Sequence, residues 1–124
     1  MMVSEHNHSD QSFRDKIILI RLVEHLDHAV EDLQHVNSAD ELEAHRILFN
    51  SVAMEMTQAQ ECARKLSEEC RNAMPDLPWN DLRALRNIIV HDYDEVDPVS
   101  LYNTVHQDVP ALSAQLRPFT KISD

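Results

Sequence analysis

The chain has 124 residues and no glycine, and its 22 acidic residues against 11 basic ones give a formal net charge of −11. That length holds one modest core, and the lack of glycine beside abundant Leu, Ala, Glu and Gln disfavours a sheet and predicts an all-α protein. The charge argues against generic nucleic-acid binding, which works by neutralising phosphates, unless the cations are gathered locally or supplied by a partner.

Met1 to Gln11 is polar, lacks the apolar core of a signal peptide and reads as a flexible tail over residues 1–11, with His6 and His8 as solvated side chains. No apolar run reaches the roughly 18 residues of a membrane span, so a cytoplasmic location is expected. A first long helix runs from about Ser12 to Val36, where Leu19, Leu22, Leu26, Ala29, Leu33 and Val36 form one stripe at helical spacing. Phe13, Ile17, Ile18 and Ile20 add more apolar surface than one neighbouring helix covers, which suits a second subunit. Glu24, His25, His28, Glu31, Asp32 and His35 superficially suggest a metal-binding bundle. A di-metal site needs carboxylates from further helices and a second Glu-x-x-His, so these residues read as a solvated face and no metal is expected.

Ser38-Ala39-Asp40-Glu41 is a capping box that opens a second long helix, whose stripe is Leu42, His45, Phe49, Val52, Met56, Ala59, Ala63, Leu66, Cys70 and Ala73. His45 on that stripe is expected in the core or at an interface, and Met54 and Met56 are expected to be core material. Cys62 and Cys70, eight positions apart in one helix, would lie about 12 Å apart, too far for a disulfide, and read as buried free thiols. Pro75 and Pro78 make Met74 to Trp79 a loop, and Trp79 should pack that loop onto the bundle. A short third helix covers about Trp79 to His91 with Leu82, Leu85 and Ile89 inward. Asp97-Pro98 then caps a fourth helix through Val99, Tyr102, Val105, Val109, Leu112 and Leu116, which Pro110 should kink. The expected architecture is a four-helix bundle over residues 12–118 with a C-terminal tail at 119–124.

The informative string is Arg86-Asn87-Ile88-Ile89-Val90-His91-Asp92-Tyr93, which puts a permanent cation, an imidazole and a phenol within eight residues. Metal-free RNA cleavage needs a base for the 2′-hydroxyl proton, an acid for the leaving 5′ oxygen and a cation for the phosphate; His91 suits either of the first two roles and Arg86 the third. In an ideal helix Arg86 and His91 point about 140° apart, so either His91 sits in an unwound last turn or two subunits complete the site. Taken alone, the pair would also suit a surface arginine and a histidine stabilised by a helix C-terminus.

Arg-x4-His-x-Tyr with Asn directly after the Arg resembles the signature of HEPN domains of the HepT toxin family (DUF86-like), and the flanks from about Phe49 to Pro118 are similar as well. The resemblance implies a homodimeric four-helix endoribonuclease of a type VII toxin-antitoxin system, with two motifs facing each other across the dimer interface. It implies that Arg86 holds the scissile phosphate, His91 acts as general acid or base and Asn87 orients them. Tyr93 would be AMPylated by a minimal nucleotidyltransferase antitoxin, which uses the ATP; the chain itself needs no cofactor. Arg83, one turn before Arg86, is expected to offset part of the negative charge of Asp92, Asp94, Glu95 and Asp97. The alternative within the same resemblance is a noncatalytic HEPN subunit that serves a nucleotidyltransferase as scaffold or substrate-binding partner.

Overall fold

A computed structural model describes the backbone of residues 2–85 and 96–121, with side chains from residue 11 onward in those ranges. Every element among the described residues is helical. Helix α1 spans Met2–Leu33, starting ten residues ahead of the expected Ser12, because Met2 to Gln11 contains no Gly or Pro to stop a helix propagating backwards. Its predicted stripe is the core: Leu19, Leu22, Leu26 and Ala29 are fully buried, with Leu33 and Val36 nearly so. Each buried leucine contributes about 2 kcal/mol of transfer free energy.

The expected second helix is three helices: α2 (Ala39–Ala44), α3 (Arg46–Lys65) and α4 (Glu68–Ala73). Capping competes with propagation at both breaks. His45 leaves helical geometry and its Nδ1 accepts from the Leu48 amide at 3.1 Å, so the residue expected in the core or at an interface is an exposed N-cap, outside the core of this chain. Ser67 accepts from the Cys70 amide at 3.0 Å to open α4. The predicted capping box does form at α2, with Glu41 reaching back to the Asn37 amide. Ala73 and Met54 turn out exposed, whereas Val52, Met56, Ala59 and Ala63 are buried.

Helix α5 (Trp79–Leu85) packs Leu82 and Leu85 inward as expected; the predicted Ile89 and the end of that helix lie outside the described residues. Asp97 caps α6 (Pro98–Asn103) with Pro98 in its first turn. The expected kink appears as a π-helical turn, Thr104–Asp108, before α7 (Val109–Leu116). Pro110 lacks an N–H for the His106 carbonyl, and the Val109 amide reaches five residues back to Thr104 to widen the turn. Val99 is exposed, and Leu101 takes the buried place expected of it.

The central pair is α1 and α3, antiparallel, with α7 on α1, α5 on α3 and α2 against α6. A 3₁₀ turn, Arg117–Thr120, extends the body past the expected end: Phe119 packs against the core and Lys16 Nζ donates to the Phe119 and Lys121 carbonyls. The result is a helical bundle with interrupted second and fourth arms in place of a strict four-helix bundle. Among the described residues, no helix is long and apolar enough to cross a membrane.

Candidate functional site

Arg86, Asn87, His91 and Tyr93 lie outside the described residues, as do Asp92, Asp94 and Glu95. Both flanks of that segment are firmly held. On the near side Leu85 is buried, and its carbonyl accepts from the side-chain amide of Gln60 on α3 at 3.0 Å. Gln60 is itself buried, so this bond satisfies its side-chain amide away from water. On the far side Val96 packs against the core, and Asp97 accepts from the Val99 amide and the Ser100 hydroxyl at the start of α6. The described chain is therefore fixed on either side of the motif, at Leu85 and at Val96–Asp97.

Two clefts involve α5, the first of them lined by the anchor residue Leu85. One, of about 250 Å³, lies between α5 and the π turn with α7; Leu85 and Leu112 line it, and Asp81 and Asp108 make its rim acidic. The other is a small groove that Arg71 and Arg83 line together with Trp79, Ser67 and Glu68. The Arg71 guanidinium lies 6.0 Å from the Trp79 ring centre. Trp79 is half-buried against the core and donates its indole N–H to the Met74 carbonyl at 3.0 Å, the packing role the sequence predicted. Arg83 is exposed on α5, on the groove side.

Neither cysteine offers a thiolate. Both are free, Cys70 buried and Cys62 only half-buried, and they sit on α4 and α3 rather than on one helix. Burial, aided by the Asp15 charge, pushes the Cys70 thiol up to about 11, and burial raises Cys62 as well. Cysteine nucleophiles near neutral pH need the opposite shift.

Residues 24–119 match the family described as Ribonuclease HepT-like. The chain belongs to that family. A protein named Putative RNase MJ1380, from Methanocaldococcus jannaschii, is 32% identical over 56 residues, 45% of this chain and 51% of that protein. The Probable ribonuclease HepT of Thermococcus cleftensis is 26% identical over 61 residues, 49% of this chain and 56% of that protein. The chain thus spans about half the length of the curated relatives it matches. No solved structure matches it significantly.

Three polar residues that hydropathy alone does not single out hold the helices of this HepT-like chain together. Asp15, 1% exposed, accepts from the Ser67 amide and hydroxyl at 3.2 and 2.7 Å and from Gln11. Asp27 accepts from Ser113 and Arg117, fixing α7 and the turn beyond it to α1. Gln60 is the third. Asp15 and Gln60 each fall at a helical offset of four from a core position, Leu19 and Met56, which is the available signal. The polar face of α1 also differs from expectation, since α3 brings the Glu55 carboxylate against His25 and His28.

Proposed function

We propose that this chain is the RNA-cleaving toxin of a type VII toxin-antitoxin pair, with Arg86 and His91 as catalytic residues. The observation that carries this reading is the motif's setting: Arg86 directly follows the anchored Leu85, inside the span matched to the ribonuclease family. In the proposed reaction the 2′-hydroxyl oxygen attacks the adjacent phosphorus and its proton passes to a base. The bond from phosphorus to the 5′ oxygen breaks, and that oxygen takes a proton from an acid, leaving a cyclic phosphate and a free 5′-hydroxyl. His91 acts as general base or acid, Arg86 offsets the charge gathering on the phosphate, and Asn87 orients the two. Arg83, three positions before Arg86 in the sequence, lines a groove with Arg71, which supports a local cationic approach in a chain whose net charge is −11. A homodimer would bring two motifs together and supply the second proton-transfer group.

Tyr93, two residues beyond His91, is the proposed switch. A nucleotidyltransferase partner would transfer AMP from ATP to its hydroxyl oxygen, which loses its proton as pyrophosphate leaves, adding bulk and negative charge where the phosphate must bind. The test is RNA cleavage by EDTA-treated protein. Arg86→Ala or His91→Ala should lower the rate at least about a hundredfold. Cleavage retained in the purified double variant overturns the assignment. Exposure to the partner and ATP should add the mass of one AMP to the wild type and nothing to Tyr93→Phe. A second reading, a noncatalytic HEPN subunit, is favoured by the acidic residues Asp92, Asp94, Glu95 and Asp97 crowding the motif. It predicts partner binding with no cleavage at all.

A further inference from the structure

On α1, His25 and His28 stand one helical turn apart and so share a face. The antiparallel α3 lays Glu55 opposite that face, one carboxylate oxygen toward each ring. His25 Nδ1 lies 2.7 Å from Glu55 Oε1, and His28 Nδ1 lies 3.4 Å from Glu55 Oε2. One ligand atom from each residue falls within 4.8 Å of the other two. We propose that His25, His28 and Glu55 bind a divalent first-row transition ion, zinc foremost, which clamps α1 to α3.

The donor set is two imidazole nitrogens and one carboxylate oxygen, the borderline-soft mixture that suits zinc, not the all-oxygen shell of calcium or magnesium. Tetrahedral bonds of about 2.1 Å set ligand atoms roughly 3.4 Å apart. The His28 distance to Glu55 Oε2 already has that value, the His25 contact with Oε1 has to open by less than about 1 Å, and the remaining separations, none beyond 4.8 Å, have to close by no more than about 1.5 Å, within reach of side-chain rotations. In the ion's absence a hydrogen bond occupies that edge. The His25 and Glu55 side chains are 29% and 22% exposed, which holds them in place, while His28 at 52% leaves the fourth position open to water. One turn along the same helix pair the Ser51 hydroxyl donates to Asp32 at 2.6 Å, so this interface is fixed on one side of the cluster.

The ion's role is that of a clamp. Glu55 and Gln60 are five positions apart, so the two point about 140° apart around α3, and Gln60 is the residue that holds Leu85 ahead of the motif. The test uses the full chain stripped of metal and titrated with zinc chloride, read by thermal melting and by equilibrium dialysis. One zinc per chain is expected to bind, with a melting temperature raised by about 10 °C at a hundredfold excess over Kd. His28→Ala and Glu55→Gln should each weaken binding at least about tenfold and remove most of the shift. Because His28 is exposed, His28→Ala decides the matter if Glu55→Gln melts low before any zinc is added. Absence of binding overturns the proposal, as does binding lost in His91→Ala or in a His6→Ala, His8→Ala double variant but kept in His28→Ala. Cleavage of RNA by the stripped protein reports on the ribonuclease reading separately.

Discussion

Asp15 shows how much one side chain can hold. It is a carboxylate of the kind composition assigns to solvent, yet it is buried where α1 meets the start of α4, accepting two bonds from Ser67. Removing it leaves the Ser67 amide without that acceptor, so Asp15→Ala should cost about 2–4 kcal/mol in urea unfolding. Asp15→Asn should cost less, because its carbonyl oxygen still accepts from the Ser67 amide. A larger loss for Asn than for Ala would show that charge, not hydrogen bonding, holds the junction. Asp27 gives the pH-dependent counterpart. Burial by itself would raise its carboxyl, but hydrogen bonds from Arg117 and Ser113, with the Arg117 and His28 charges, outweigh burial and hold it below the usual range. A depressed folded value means that the contribution is complete above the ordinary aspartate value near 3.9 and is lost as pH falls through the folded one. Asp27→Asn should therefore melt a few degrees below the wild type at pH 6, and the gap should close as the pH is taken toward about 3 and below. Both side chains of the Asp27–Arg117 pair are more than a third exposed, which keeps the gap small.

At the scale of elements, the leverage lies in Gln60, which ties the end of α5 to the middle of α3 just before Arg86. Gln60→Leu fills much the same space but removes the Gln60 hydrogen bond to the Leu85 carbonyl, for a cost of about 1–2 kcal/mol. If Arg86 depends on this anchor for its position, cleavage should fall about tenfold, mostly in kcat with KM little changed, at temperatures where the variant is fully folded. Unchanged cleavage would limit Gln60 to stability. The apolar stripes of α1, α3 and α7 were legible in the sequence because periodicity follows directly from burial of one helix face: Leu19 through Val36, Val52 through Ala63, and Val105 through Leu116 fall where spacing puts them. The breaks at His45 and Ser67 were not, since each depends on a side chain bonding an amide three residues on, a contact that competes with propagation by a margin too small for a pattern to show. The partnership of Glu55 with His25 and His28 was hidden for another reason. It depends on the register of α3 against α1, which is set by core packing and leaves no mark in either helix alone. At the motif, the residue types Arg86, His91 and Tyr93 were readable, and so was the family; the anchors on each side, Gln60 and Val96, came only from three dimensions.

For the molecule as a whole the governing quantity is charge. A chain at −11 repels RNA at long range, and the only cations proposed to meet it near the motif are Arg83 and Arg86, with Arg71 in the adjoining groove. Two opposing salt effects follow. At about 10 mM salt the screening length is about 30 Å and the global repulsion slows encounter; near 150 mM it is about 8 Å and that repulsion is largely gone. Direct contacts behave in the opposite way, because each phosphate neutralised releases counterions that added salt must then restore. Two to four such contacts on single-stranded RNA give a slope of log affinity against log salt of roughly −1.4 to −2.8. The second-order rate of cleavage should therefore rise between about 10 and 100 mM salt and then fall with that shallow slope. A monotonic decline steeper than about −5 would require a broad cationic track. Since only two of the eleven basic residues, Arg71 and Arg83, line that groove, such a decline would mean that another molecule brings the RNA to it.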